Sequence, residues 1–463
     1  MRMATLVRAA FGPVAKTSVR RPWKIRPCAP LFVVCLAVVG FLTYSGRRAW
    51  ACPIKPPCAC GQVLESPSTA CRLVVPNGSS VYLLDGKVEE AVTDASLPGV
   101  GFGWAHGRTY HSGFSHTNFQ GEHWDVNLLT AKLKWTGDEI DVCTRAGFGW
   151  WFSPNNGGYD PPKDYKASLV WYKNVAGTSG TADGGTKTTL ETDDLAVPNN
   201  ALKDCLIRFS SADPNNPNND KVRVVAGNTK SDSTTTITWE EELPQAVTNE
   251  GFEILDRVVL TFDDNLETYE FAGNNANWDD GQKGFLLSRT DAYGNEMTVT
   301  YNETIHRPAL VTTTSAGSVI YAYVDVGGGD FKIQNLLAKD PSLKPVCGVV
   351  YVYQDDLVPP TYHPDCGIPG DLLLVHSCEN LGAAGTATGG SKLVLTDSSA
   401  AWTENEWVGC QLVMADGSNV SQVRRITKNT ETTIWVDREL PNSIVADDTY
   451  FVVKGAVRTT EYL

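Results

Sequence analysis

The sequence lacks the spacing of apolar residues that an amphipathic helix requires. Beyond residue 51, no segment keeps apolar residues three and four positions apart over more than about ten residues. Short runs that alternate apolar and polar residues take their place, as at 297–301 and 319–323, and turn-forming residues separate them. The run 347–353 is apolar throughout, which predicts a strand buried on both faces. We therefore expect an all-β chain built from antiparallel sheets.

The sequence also lacks the common motifs of catalytic sites. There is no G-x-S-x-G elbow, since the nearest match at 113–117 ends in Thr117. No H-E-x-x-H pair and no phosphate-binding glycine loop occur. These absences favour a non-enzymatic protein. A hydrolase that acts on glycans through unpaired carboxylates is a remote alternative.

Acidic residues are missing from the N-terminus. Residues 1–51 contain nine of the 39 basic residues and none of the 53 acidic residues. The rest of the chain is therefore strongly acidic. Because an acidic surface repels phosphate backbones, we expect no nucleic-acid partner.

No apolar run is long enough for an ordinary membrane span. The longest, at residues 30–44, has about 15 residues, the length of a signal-peptide core. The A-W-A tripeptide at 49–51 then supplies a cleavage site. We predict a cleaved signal peptide over 1–51. An uncleaved anchor inserted in the membrane is the alternative, because Arg47 and Arg48 follow the core. Either way we expect the bulk of the chain outside the cytoplasm, in the cell envelope or the extracellular space.

Cysteine is present in an even number after the signal, which in an exported chain predicts disulfides. The first four cysteines lack the paired C-x2-C spacing of structural zinc sites, so disulfides are favoured over zinc there. The ten are Cys52, Cys58, Cys60, Cys71, Cys143, Cys205, Cys347, Cys366, Cys378 and Cys410.

One stretch of the sequence occurs twice, at 180–255 and 385–453. Aligned on their glycine pairs, the copies place Leu190 on Leu395 and Cys205 on Cys410 without a gap. The matched positions are apolar, glycine, cysteine and proline, so the repeat indicates one folding unit used twice. We predict two small β-sandwich or β-barrel modules of about five strands each, inserted between strands of a host fold.

These patterns divide the chain into seven regions. We expect a signal or anchor (1–51), a Cys/Pro-rich leader (52–72), an N-terminal β region (73–175), a first repeat module (176–256), a second β region (257–380), a second module (381–456) and a tail (457–463).

Residues 257–325 resemble the RHS/YD-repeat family of bacterial exported and cell-surface proteins. The segment 284–301 (GFLLSRTDAYGNEMTVTY) is similar to one full repeat, and 307–323 to a degenerate second. The resemblance implies stacked hairpins that build long sheets curling into a shell. This chain departs from the family in having only about two repeats, and it lacks the family's Asp-Pro self-cleavage signature.

Two groups of polar residues are candidate metal ligands. His106, His111, His116 and His123 suit zinc, copper or nickel, with surface or aromatic-packed histidines as the alternative. Calcium prefers several oxygen ligands, so the acidic and amide residues of one loop are weak calcium candidates, with solvated turns as the alternative. The loop candidates are Asn275, Asn277, Asp279 and Asp280. We predict no other cofactor.

Tryptophans crowd the N-terminal β region. Exposed tryptophans on sheets stack on sugars, but half-buried strands also favour aromatic residues. The six are Trp104, Trp124, Trp135, Trp150, Trp151 and Trp171. We expect core packing for most of them.

Taken together, these features predict a non-enzymatic, exported, RHS-like scaffold that acts at the cell surface in adhesion or contact. A carbohydrate-binding envelope protein is the main alternative. The expected partner is a cell-surface protein or a polysaccharide.

Overall fold

A computed structural model describes residues 72–74, 80–82, 88–99, 103–112, 117–126, 131–145, 148–155, 158–163, 165–173, 178–279, 281–353 and 371–462. The predicted signal and most of the Cys/Pro-rich leader lie outside these residues. The described chain is built of strands with one short 3-10 turn, Gly417–Asn419, so the prediction of an all-β, antiparallel fold is confirmed. Its described residues contain no helix that is long and apolar enough to cross a membrane.

The N-terminal β region begins with a small sheet of five strands, whose order is β1-β2-β3-β4-β7, and a separate two-stranded hairpin, β5–β6. These strands are β1 (Arg72–Val74), β2 (Ser80–Tyr82), β3 (Val88–Leu97), β4 (Trp104–His111), β5 (Thr117–Asn118), β6 (Gly121–Glu122) and β7 (Trp124–Val126).

One large sheet of fifteen strands forms the host fold, and all of its neighbouring strands are antiparallel. Its first part contains β8 (Lys132–Thr136), β9 (Glu139–Arg145), β10 (Phe148–Asn155), β11 (Gly158–Asp160) and β12 (Ala167–Tyr172). Nine further strands follow the first module: β20 (Arg257–Phe262), β21 (Thr268–Ala272), β22 (Leu286–Thr290), β23 (Glu296–Tyr301), β24 (Pro308–Thr313), β25 (Gly317–Asp325), β26 (Phe331–Lys339), β27 (Pro345–Tyr353) and β28 (Leu372–Glu379). The edge strand β36 (Val457–Glu461) pairs with β28, so the residues predicted as a tail belong mainly to this sheet.

Alternating burial explains how the large sheet holds its core. In β23 the side chains of Met297 and Val299 are buried, while Thr300 on the other face is exposed. β27 is different, because every residue from Cys347 to Tyr353 is buried. The small N-terminal sheet packs on one face of β27, and the second module covers the other. The prediction of a strand buried on both faces is confirmed.

The large sheet curls at its first edge. The edge strand β8 reaches back to the start of β22, where Lys132 bridges Phe285 and the Leu133 amide donates to the Gly284 carbonyl at 2.7 Å. Gly284 has a φ of +77°, and a Cβ there would lie 2.4 Å from the Leu133 carbonyl oxygen. Glycine is therefore required where the curl closes.

Each repeat forms a seven-stranded sheet, and the two sheets have equivalent strand orders, β13-β19-β16-β17-β18-β15-β14 and β29-β35-β32-β33-β34-β31-β30. The first consists of β13 (Ser179–Thr181), β14 (Gly184–Gly185), β15 (Thr189–Thr192), β16 (Leu206–Ser210), β17 (Val222–Ser231), β18 (Thr234–Trp239) and β19 (Gly251–Leu255). The second consists of β29 (Leu381–Thr386), β30 (Gly389–Gly390), β31 (Val394–Thr396), β32 (Gln411–Met414), β33 (Val423–Asn429), β34 (Thr433–Val436) and β35 (Thr449–Val453).

A β-bulge folds each module over its own core. β17 is bulged between Val225 and Gly227, and β33 between Ile426 and Lys428. On one side of the bulge each long strand pairs with β16 or β32, and on the other side with β18 or β34. Because a bulge bends its strand, the two halves face each other around an apolar cluster. The modules are thus small open sandwiches rather than closed barrels.

A buried asparagine holds the same loop in both modules. The Asn228 side chain accepts a hydrogen bond from the Leu202 amide at 2.9 Å and donates to the Pro198 carbonyl at 2.8 Å. Asn429 repeats this pattern in the second module, where the loop begins at Thr403. The equivalence shows that the repeat preserves internal hydrogen bonds as well as apolar residues.

Both modules are inserted at the tips of hairpins of the large sheet. β12 and β20 flank the first module and pair with each other, with Tyr172 opposite Arg257. β28 and β36 flank the second module and are also paired, with Cys378 opposite Val457. Since the strands between these hairpins alternate in direction, the two modules lie at opposite ends of the strands of the sheet. The prediction of two modules inserted between host strands is confirmed.

Candidate functional site

The structure describes the side-chain surroundings of two of the four clustered histidines. His106 is fully buried, and its ring nitrogens lie 3.2 Å from Gln120 Oε1 and 3.3 Å from the Tyr321 hydroxyl. Burial lowers the pKa of His106 to about 4, so the ring is neutral at pH 7. His123 packs edge-on against the Tyr110 ring. His116 and the side chain of His111 lie outside the described residues.

A buried ion pair lies beside His106. The Arg108 guanidinium donates to both carboxylate oxygens of Asp94, and the Tyr351 hydroxyl donates to the same carboxylate at 2.9 Å. Arg108 also donates to the Tyr462 hydroxyl and lies 4.3 Å from the centre of the Trp124 ring. Burial alone would lower the pKa of Arg108, but the adjacent Asp94 carboxylate raises it above its ordinary value. The pair joins the small sheet to β27 and to the end of the chain.

The calcium candidates lie in the loop between β21 and β22, which packs against the first module. The side-chain amides of Asn275 and Asn277 both donate to the Ile254 carbonyl, at 3.1 and 2.8 Å. The Asn277 side chain also donates to the Thr178 carbonyl. Asp279 is exposed, and Asp280 lies outside the described residues. Among the residues that the structure describes, no three His, Cys, Asp or Glu side chains are grouped as a metal ion would need. The asparagines have a structural role in docking the module, and calcium binding by this loop stays a prediction.

Asp256 fixes this junction, because it is the single residue between β19 of the module and β20 of the large sheet. Its buried carboxylate accepts hydrogen bonds from Trp171 Nε1 at 2.7 Å and from the backbone amides of Asn274 and Asn275 at 3.0 Å each. A Cβ on Gly273 would lie 2.1 Å from this carboxyl group. The close packing around Asp256 therefore sets the orientation of the first module.

The second module is docked through its outer face. Phe451 packs directly on Gly348 of β27, where a Cβ would lie 2.6 Å from the ring. The buried Asn335 side chain of β26 donates to the Ala415 carbonyl of the module at 3.2 Å. Two modules with the same fold therefore use different contacts to reach the same sheet.

Five of the six tryptophans are buried in the main apolar core or pack against it. Trp104 and Trp124 are buried, and Trp135, Trp150, Trp151 and Trp171 are half-buried. The half-buried Trp150 ring stacks on Tyr165 with centroids 4.6 Å apart, and both meet Phe262 edge-on. This aromatic cluster is one of the parts of the tryptophan set that solvent partly reaches.

The five described cysteines form no disulfide with one another, so the predicted disulfides are not found among them. They are Cys143, Cys205, Cys347, Cys378 and Cys410. Burial raises the pKa of Cys143 and Cys205 to about 11 and that of Cys378 to about 12, which makes these thiols poor nucleophiles at neutral pH. The remaining cysteines after the signal lie outside the described residues.

One small cavity of about 270 Å³ lies between β3, β27 and the second-module junction. Asp94, Cys347, Cys378 and Glu379 contribute to its walls. Asp94 is already paired with Arg108, and Glu379 is paired with Arg458 at 3.0 Å. The cavity thus has polar walls whose two carboxylates already have cationic partners.

Sequence reasoning missed the Asp94–Arg108 pair and the role of Asp256. A signal for the pair was available, since His106, Arg108 and Tyr110 alternate along one strand and share a face. Three polar or aromatic residues on one face indicate a polar cluster within the core. No local pattern marks Asp256, because its partners are more than fifteen residues away along the chain.

Comparisons with known proteins give little further guidance. No family model matches the chain, and no curated protein matches it. A solved structure described as the crystal structure of TcdB2-TccC3 is similar over 82% of this chain and 20% of that one, with 9% identity and a TM-score of 0.32. The chain thus spans about one fifth of that protein's length.

Proposed function

We propose that this chain is an exported, non-enzymatic RHS-like β scaffold that acts at the cell surface in adhesion or contact. The observation that carries the proposal is the docking of two copies of one module at opposite ends of the strands of a single sheet. Both junctions are closely packed, so the modules have fixed orientations. Two contact surfaces held by one sheet can bind with higher avidity than either alone.

The surfaces of the two modules support this role. Their internal asparagines and glycines are shared, but half-buried positions differ. Thr238 of the first module corresponds to Trp435 of the second, and Lys428 lies 5.1 Å from the centre of the Trp435 ring. Aromatic residues at a surface are frequent binding hot spots. The second module is therefore the better candidate for direct contact with a partner.

The test uses cells that produce the full chain with a C-terminal epitope. We expect added protease to remove the epitope from intact cells, and cells with the chain to adhere to one another or to a host-cell layer more than cells without it. The Trp435→Ala variant should lose most of the adhesion, whereas the matched Thr238→Ala variant should keep it. An epitope protected from protease, or adhesion equal to that of cells without the chain, would contradict the proposal.

A carbohydrate-binding envelope protein is the second candidate, and the stacked Trp150–Tyr165 pair favours it. Sugars stack on aromatic faces that solvent reaches, and both rings are half-buried. A glycan array probed with the purified full chain tests this function. Binding that Trp150→Ala abolishes would support it, and silence across all polysaccharides would exclude it.

A further inference from the structure

The most exposed large apolar residues of the described chain lie in turns at one end of the strands of the large sheet. Tyr293, Leu343 and Leu266 are 91%, 70% and 63% exposed, more than any other large apolar residue that the structure describes. Each lies in the turn of a hairpin: β20–β21, β22–β23 and β26–β27. Because the strands alternate in direction, all three turns lie at the strand ends that are opposite the first module. We call these residues the tip row.

The backbone conformation of the two leucines is unfavourable. Leu266 and Leu343 have φ values of +53° and +64°, in the left-handed region that bulky residues rarely adopt. The equivalent turn of β22–β23 has Gly294 at the position of Leu343, with a φ of +80°. In a turn where glycine is favourable, an exposed leucine carries both a conformational and a solvation cost. Such a combination indicates a function for the side chain.

The turns hold the tip row in fixed positions. Asp291 Oδ1 accepts hydrogen bonds from the amides of Tyr293 and Asn295, each at 2.9 Å. Asp340 Oδ1 makes the same two bonds, at 2.9 Å, to the amides that flank Leu343. Tyr293 and Leu343 therefore project from hydrogen-bonded turns.

The spacing of the tip row favours a fluid apolar partner. Neighbouring hairpins are two strands apart, which places Leu266 and Tyr293 about 10 Å apart, and Tyr293 and Leu343 about 19 Å apart. Side chains at these distances do not form the continuous patch of roughly 800 Å² that a stable protein interface needs on each partner. Lipid, in contrast, can surround each projecting side chain separately, and tyrosine is enriched at membrane interfaces.

We propose that the tip row is a membrane-contact site, at which Leu266, Tyr293 and Leu343 insert into the interface of an uncharged, zwitterionic bilayer. The charge of the chain selects this lipid class. The exposed Asp263 lies beside Leu266, and the chain as a whole is acidic, so anionic lipids are repelled. The tip row is by itself a weak attachment, since stable anchoring takes two signals. The inference rests on the proposed location at the cell surface.

Vesicle flotation of the purified mature chain, residues 52–463 after the predicted cleavage, tests the proposal. The test variant combines Leu266→Asn, Tyr293→Ser and Leu343→Asn, because asparagine tolerates positive φ. The matched control is Val222→Thr with Val224→Thr. It removes two exposed apolar side chains from the first module, which lies at the strand ends opposite the tip row. We expect the wild type and the control to bind phosphatidylcholine vesicles, and the test variant to bind at least about tenfold more weakly. Added phosphatidylglycerol should reduce binding.

Amide hydrogen exchange supplies a second measurement, because it localises the vesicle contact to individual turns. Vesicles should slow exchange at 291–295 and 341–344 in the wild type and not in the test variant. Unchanged exchange at both turns, failure of the wild type to bind phosphatidylcholine, or binding that requires anionic lipid overturns the proposal. If the wild type binds no vesicles and the test variant loses cell adhesion, the tip row contacts a protein partner instead. Vesicle binding is measured without cells, so its failure is distinct from a failure of the proposed adhesion.

Discussion

Asp94 is the extra residue of a β-bulge in β3, and the bulge places its carboxylate against the guanidinium of Arg108. Neither side chain is more than 3% exposed. A residue in regular pairing would have its side chain fixed by the alternation of the strand, whereas the bulged residue is free of it. The bulge thus allows an acidic residue to face the core at this point.

We predict that Arg108→Met destabilises the protein by about 3–5 kcal/mol, because it leaves the Asp94 carboxylate buried without a counter-charge. The double variant Asp94→Leu, Arg108→Met should recover most of this loss, since it removes both charges. Urea unfolding followed by tryptophan fluorescence measures both. A cost below about 1 kcal/mol for the single variant would show that water reaches the pair.

His106 makes stability depend on pH. Its pKa is about 4 in the folded chain against 6.5 for the free side chain, so the unfolded state binds more protons between these values. Stability from this residue is complete above pH 6.5 and is lost as the pH falls towards 4, by roughly 3 kcal/mol in total. Unfolding of the His106→Gln variant should depend less steeply on pH across this window. Identical slopes for the variant and the wild type would contradict the prediction.

Gly284 and Gly294 form a matched pair of glycines with positive φ, at +77° and +80°. A Cβ at Gly294 meets no atom within 4 Å, so Gly294→Ala should cost only the conformational strain, about 1 kcal/mol. Gly284→Ala adds a clash with the Leu133 carbonyl, and we expect a cost of about 2–4 kcal/mol. Thermal unfolding compares the two variants. Equal costs would show that the curl at β8 is not closed at this point.

Asn228 and Asn429 should contribute equally to their modules. Alanine at either position leaves a buried backbone amide without its acceptor, which costs about 1–3 kcal/mol. The double variant should show the sum of the two costs, because the sites lie in separate modules. The exposed Asn215→Ala variant is the control, and chemical unfolding is the measurement. A large effect of Asn228→Ala with none for Asn429→Ala would mean that the loops are held differently.

Local patterns predicted the strands where alternation is strong. The alternating segments 297–301 and 319–323 lie within β23 and β25. The sequence predicts about five strands in each module, but each has seven. The additional pair in the second module, β29 and β30, is rich in glycine and alanine and lacks the branched and aromatic residues that mark a strand.

Contacts distant in sequence could not be predicted in this way. Asn275 and Asn277 looked like calcium ligands because turn residues and oxygen ligands have the same composition. Their role in docking the first module depends on Ile254 and Thr178, which no local pattern connects to the loop. The same limit applies to Tyr462, whose partner Arg108 is 354 residues away.

The placement of the modules bears on how the chain arose. Each module enters and leaves through two strands that are hydrogen-bonded neighbours, so its removal would leave ends that a short turn can join. A gene segment that encodes such a unit can be gained, lost or exchanged without altering the register of the host sheet. Hairpin tips of long sheets are therefore permissive points for recombination, and this chain has accepted the same segment at two of them.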